Sequence, residues 1–113
     1  MKTLFLACVL AFFGLSANAQ SKNKNAKIEM HVDGNCEMCK KRIEKAAFSV
    51  SGVKSASWDV STEKLNLIVN EEKTDTETIQ KAIAKAGHDT EGVKASDDDY
   101  SNLHGCCKYE RTE

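Results

Sequence analysis

An α+β sandwich, with a four-stranded antiparallel sheet carrying two helices on one face, is the fold this sequence predicts. Three observations carry it. Apolar residues alternate with polar ones along several short stretches, they recur at helical spacing along two others, and the two periodicities interleave across roughly Lys27 to Val93.

Ile28, Met30 and Val32 alternate with Lys27, Glu29 and His31, the period of a half-buried first strand over Lys27 to Val32. Asp33-Gly34-Asn35 is turn chemistry. From Glu37 onward Ile43, Ala46, Ala47 and Val50 recur at helical spacing, with Lys40, Lys41, Arg42, Glu44 and Lys45 on the wet face, and Gly52 closes the helix. A second strand follows from Val53 to Val60, and Ser61 to Lys64 turns into a third, Leu65 to Asn70. Thr74-Asp75-Thr76-Glu77 reads as a capping box opening a second helix, whose apolar stripe is Ile79, Ala82, Ile83 and Ala86 and whose end is Gly87. His88 to Val93 is the final strand. Right-handed crossovers fold this β-α-β-β-α-β order into a ferredoxin-like sandwich. Its expected core is Ile28, Met30, Val32, Ile43, Ala47, Val53, Trp58, Leu65, Leu67, Val69, Ile79, Ala82, Ile83 and Ala86.

Ahead of the domain, Met1-Lys2-Thr3, the apolar run Leu4 to Leu15 and Ser16-Ala17-Asn18-Ala19 make up the three parts of a secretory signal peptide. The run is shorter than the about 20 residues that span a bilayer, so cleavage before Gln20 is expected, with no membrane span left. Residues 20–26 form a flexible lead-in, 27–94 the folded domain and 95–113 a polar tail with an acidic run at Asp97-Asp98-Asp99. The formal net charge of the whole chain is −1, which gives no basis for binding nucleic acid.

Cysteines carry the chemistry. Cys36 and Cys39 sit where the first strand gives way to the first helix, and exposed N–H groups at a helix start favour thiolate. Two thiolates at that spacing converge on one soft ion such as Cu(I), Hg(II) or Zn(II), close a disulfide, or exchange with other disulfides. Lys40, Lys41 and Arg42 are at hand to hold them ionised. Cys106 and Cys107 lie in the tail. Adjacent cysteines do not bridge without strain, so a framework disulfide would join the tail to the front pair. A second arrangement puts both tail thiols, or His104, into the metal site. An extended Ala95–Cys106 stretch spans roughly 36 Å, against a domain on the order of 25 Å across, so a returning tail reaches the site and a free tail is the alternative. His88, at the start of the final strand, should lie near the same loop and offers a further nitrogen ligand; His31 reads as a surface residue.

The strand, the Gly34-Asn35-Cys36-Glu37-Met38-Cys39 loop, the basic helix start, Gly52-Val53 and Ala86-Gly87 together resemble the heavy-metal-associated domain. That family includes copper chaperones, modules of metal-pumping ATPases and periplasmic mercury-binding proteins. The resemblance implies that Cys36 and Cys39 are metal ligands. So small a core leaves no obvious large pocket for an organic substrate, and no enzyme is expected. Together with the signal peptide, the resemblance implies an exported carrier or sequestering protein, periplasmic or else secreted, passing Cu(I), Hg(II) or Zn(II) to a metal transporter or another thiol-rich acceptor. The family places a methionine under the metal loop. Here the loop is one residue shorter, and Met38 is the residue available to fill that place. The other class of function is a thiol–disulfide redox protein using the same pair. Thioredoxin-like proteins rely on a cis-proline beside their cysteines, and this chain has no proline.

Overall fold

The computed structural model describes residues 22–111; the expected signal peptide lies outside the described residues. Strand β1 (Ala26–His31), helix α1 (Glu37–Phe48), strands β2 (Val53–Trp58) and β3 (Lys64–Val69), and helix α2 (Thr76–Lys85) follow in the expected order. The sheet is antiparallel with β3 in the middle, in the order β1-β3-β2. Its register places Met30 and Trp58 on either side of Leu65, with Ile28 and Ala56 flanking Leu67. Met30, Leu65, Leu67, Val69 and Trp58 are thus on one face, where Ile43 and Ala47 of α1 and Ile79 and Ile83 of α2 cover them. Of the expected core, Ile28, Ala82 and Ala86 are only half-buried.

Three features depart from the expectations. The fourth strand is reduced to a single bridge, Thr90 to Val32. Thr90 N–H donates to the Val93 carbonyl (2.8 Å), and Val93 N–H donates back to Thr90 Oγ1 (2.9 Å). Glu91-Gly92 therefore turns the chain before a strand can extend. Helix α2 is capped by Asp75, whose carboxylate accepts from Thr78 N–H at 2.8 Å, one residue later than the Thr74 box; this puts the cap oxygen within reach of the N3 amide. The lead-in is tied down from Asn23, which exchanges hydrogen bonds of 2.9 Å with Glu71.

The tail, for which return and freedom were both open, returns. Asp97–Ser101 forms a short helix, α3, with Ser96 Oγ accepting from Asp99 N–H, so the acidic run is its first turn. A 3-10 turn follows at Gly105–Cys107. Leu103, Cys107 and Tyr109 join the main core, each at most 6% exposed. Gly87 makes that docking possible. It has φ +108, and a β-carbon there would sit 2.8 Å from Leu103 Cδ2 and 2.9 Å from the Asp99 carbonyl, so only glycine fits both the left-handed backbone and the approach.

The tail is clamped by Asp89. Its buried carboxylate takes a fork from Arg111 Nε and Nη2, both at 2.9 Å, and the Ala95 N–H at 2.7 Å. Tyr109 Oη accepts from Asp89 N–H and donates to the Gly87 carbonyl, both at 2.9 Å. Its ring stacks on His88 at 5.5 Å and meets the edge of Tyr100 at 5.1 Å. Burial would raise the Asp89 carboxyl, but the Arg111 fork, the Ala95 N–H and the arginine's charge hold it below the ordinary carboxylate range.

A lowered folded pKa contributes stability that is present above the unfolded value, about 3.9, and lost as pH falls through the folded one. Arg111→Ala removes the fork that holds the carboxyl low and leaves the buried carboxylate with the Ala95 N–H but no counter-ion. The variant is expected to lose about 3 kcal/mol at neutral pH in urea unfolding. Its deficit relative to wild type should shrink as pH is lowered below about 4.

Candidate metal centre

The site starts from two backbone facts. Cys36 caps α1 in extended conformation, and its carbonyl accepts the first helical bond, from Lys40 N–H at 3.1 Å. Cys39 lies one turn in, on the face α1 presents to the core, and is fully buried. The helix start thus turns both thiols to the same side, with Sγ–Sγ 3.4 Å. Cys39 Sγ also lies 3.2 Å from Asn35 Oδ1.

Returning, the tail brings the other two cysteines to the same place. Cys107 Sγ is 3.8 Å from Cys36 Sγ and 3.9 Å from Cys106 Sγ. Cys36 Sγ lies 3.5 Å from the Cys106 carbonyl, and Cys39 Sγ 3.9 Å from the Cys107 carbonyl. The thiols of Cys36, Cys106 and Cys107 all lie within 4.8 Å of one another. Exposure is graded: Cys39 and Cys107 are buried, Cys36 is half-buried and Cys106 is open to solvent.

That arrangement separates the thiols electrically. Burial alone would raise Cys36, but hydrogen bonds from the Cys39 N–H, the Cys39 and Cys107 thiols and the Met38 N–H outweigh it and lower its pKa. Burial raises Cys39. Burial, then the neighbouring Cys39 and Cys36 sulfurs, push Cys107 up to about 12. Cys36 is therefore the most readily ionised of the three, while burial holds Cys39 and Cys107 towards the neutral form. The flanking cations, expected to help, are not among these causes. Lys40 pairs with Glu44 and donates to the Trp58 carbonyl at 3.1 Å.

Of the remaining candidates, His88 is fully buried but is held against the loop rather than among the sulfurs. Its Nδ1 donates to the Asp33 carbonyl at 2.9 Å, and burial lowers its pKa against that bond. It buttresses the loop in the neutral form, with Nε2 unpartnered. His104 is exposed and takes part through its backbone, its carbonyl accepting from Cys107 N–H at 2.8 Å. Met38 does not fill the place under the loop. It is 47% exposed, with Sδ 3.4 Å from Cys106 Sγ. Trp58 fills it instead: a β-carbon on Gly34 would lie 3.0 Å from the indole ring and 3.1 Å from Cys39 Cβ, and Trp58 Nε1 donates to the Val32 carbonyl at 3.0 Å. Trp58 was legible as core but not as the floor of the loop. His31 is exposed but not isolated, lying 2.7 Å from Asp33 Oδ1 and 3.4 Å from Glu63 Oε2. Among the described residues no helix is long and apolar enough to cross a membrane.

Known proteins share this framework. A family model described as the heavy-metal-associated domain matches residues 28–89. The copper-exporting P-type ATPase of Bacillus subtilis (strain 168) is 35% identical over 77 residues, covering 67% of this chain and 10% of the ATPase. The chain thus spans about a tenth of that protein's length. A solved structure, the N-terminal domain of a potential copper-translocating P-type ATPase from Bacillus subtilis in the Cu(I)-loaded state, superposes with a TM-score of 0.56 at 25% identity, over 58% of this chain and 84% of that one. Oxidized MerP from Ralstonia metallidurans CH34 gives the same TM-score, 0.56, at 25% identity over 58% and 93%. The family match stops at residue 89, before the tail begins.

The thiol ordering is directly measurable, since the thiolate is the alkylated form. In the reduced protein, mass spectrometry after iodoacetamide pulses at stepped pH should show Cys36 modified at lower pH than Cys39, and Cys107 resisting up to about pH 12. Equal profiles for the three would show that the site does not distinguish them.

Proposed function

This chain belongs to the heavy-metal-associated domain family, and from that premise we propose that it is an exported carrier or sequestering protein for a soft metal ion. Cargo is captured by Cys36 and Cys39 and passed on by ligand exchange to the cysteines of an acceptor. The observation that carries this reading is the convergence of the two sulfurs, 3.4 Å apart, at the first turn of α1, with Cys36 biased to thiolate. With metal–thiolate bonds of about 2.3 Å, one ion can bridge both sulfurs of that pair. The donors are all soft, which favours Cu(I), with Hg(II) and Zn(II) behind it. The copper named in the ATPase relatives supports the same choice.

The role of each group follows from its surroundings. Cys36 attacks first, being half-exposed and the most readily ionised. Cys39 supplies the second sulfur and gives up its proton as it binds. The His88–Asp33 bond and the Trp58 floor keep the loop from opening, so little has to be ordered when the ion arrives. Delivery needs an incoming sulfur to reach the ion, and Cys36 stands on the accessible side. The leader sequence supports export to the periplasm, and a metal transporter or other thiol-rich protein is the acceptor. The protein transfers its cargo and catalyses no turnover.

Cys36→Ser combined with Cys39→Ser should abolish stoichiometric Cu(I) binding in a competition titration while circular dichroism is retained; undiminished binding would remove the basis of the reading. Wild-type protein should show no turnover in insulin reduction. Turnover lost in Cys36→Ser would make it a thiol–disulfide redox protein instead.

A further inference from the structure

We propose that Cys107 is a third thiolate of the cargo site, making it a three-sulfur centre closed by the tail, and that Cys106 is the thiol through which the ion leaves. The proposal rests on the soft-metal reading above and adds residues that lie beyond the family match.

Distances argue for three sulfurs over two. With bonds of about 2.3 Å, a linear two-sulfur site needs its sulfurs roughly 4.6 Å apart, whereas a trigonal site needs about 4.0 Å. Cys36 to Cys107 is already 3.8 Å, and Cys36 to Cys39 is 3.4 Å. On those two edges a trigonal ion needs shifts of about half an ångström at most, while a linear one forces Cys36 and Cys39 apart by about twice that. Cys39 Sγ also lies 3.9 Å from the Cys107 carbonyl, so both front thiols face the turn that carries Cys107.

The tail holds Cys107 there without help from any ion. Its amide is bonded to His104 O, Leu103 is packed in the core before it, and Tyr109 is locked on Gly87 and Asp89 after it. An ordinary buried cysteine would need no second thiol beside it. This one has Cys36, Cys39 and Cys106 around it in a turn that the clamp fixes.

Cys106 forms a triad with Cys36 and Cys107, their sulfurs all within 4.8 Å of one another. It is exposed, with Met38 Sδ at 3.4 Å. Transfer outward needs one exchange. The Cys106 thiol loses its proton as its sulfur–metal bond forms, the Cys39–metal bond breaks, and Cys39 takes up a proton; the ion keeps its charge and no electron moves. An acceptor's thiol then repeats the exchange at the exposed edge.

X-ray absorption on the Cu(I)-loaded wild-type protein should show three sulfurs at one distance near 2.3 Å. Cys107→Ser and Cys107→Ala should both show two, at a shorter distance, and bind Cu(I) about tenfold more weakly or worse, since even the outer partners of a metal site are worth that much. Cys106→Ser should keep three sulfurs yet release Cu(I) several-fold more slowly to the chelator bathocuproine disulfonate. Two sulfurs in wild type, or an unchanged count in the Cys107 variants, would overturn the third ligand while leaving the Cys36–Cys39 reading intact. Unaltered release from Cys106→Ser would overturn the exit role. Because the wild-type sulfur count involves no substitution, it decides the point even if a variant fails to fold. Only undiminished binding in the Cys36→Ser, Cys39→Ser double variant tells against the underlying reading.

Discussion

Asp89 is the joint on which the site depends. Its carbonyl accepts the Asp33 N–H at 2.8 Å, which fixes the base of the loop that carries Cys36 and Cys39. Its carboxylate holds Arg111 and the Ala95 N–H, and its own N–H holds Tyr109, which fixes the segment that carries Cys106 and Cys107. One residue thus sets the distance between two cysteine pairs that are 70 residues apart in the chain. The carboxylate is only 1% exposed, so its charge depends on the fork from Arg111. A buried carboxylate without such partners carries a heavy desolvation penalty. The clamp is therefore all-or-nothing, which suits a site whose neighbouring sulfurs lie 3.4 to 3.9 Å apart.

Around that joint, the packing turns the metal loop into part of the core. Cys39 and Cys107 belong to the same buried cluster as Met30, Leu65 and Trp58. His88 and Tyr109 stack across the seam between loop and tail. The usual conflict at a thiol site is that burial favours the neutral form whereas binding needs the thiolate. The protein divides the two demands among neighbours. The half-exposed Cys36 collects donors and is biased to thiolate, while the buried pair stays protonated and packs as small apolar side chains until an ion replaces the protons.

The strands, both helices and the cysteine pair were legible because each rests on a local pattern: alternation in Ile28, Met30 and Val32, helical spacing in Ile43 and Ala47, a thiol pair at a strand–helix junction. The last strand was misread because two alternations are too few to outweigh the Glu91-Gly92 turn. The N-cap was misplaced by one residue because Thr74 and Asp75 both offer a capping oxygen. The tail's path was open between return and freedom. Leu103, Tyr109 and Arg111 follow no period, and their partners Gly87, His88 and Asp89 lie 16 to 22 residues away. The faint signal was that cluster itself, a glycine, a histidine and an aspartate in succession with no solvent-facing role. Met38 looked like the loop's support by type; the space was already taken by Trp58, which the sequence marked only as apolar.

The central claim is that the two cysteine pairs form one preorganised site in the metal-free protein. Nuclear Overhauser contacts in the reduced, metal-free protein test it most directly. The account predicts cross-peaks between the Tyr109 and His88 rings, and between the β-protons of Cys107 and Cys36, together with dispersed shifts for residues 97–111. Narrow random-coil resonances for that segment, without those cross-peaks, would contradict it.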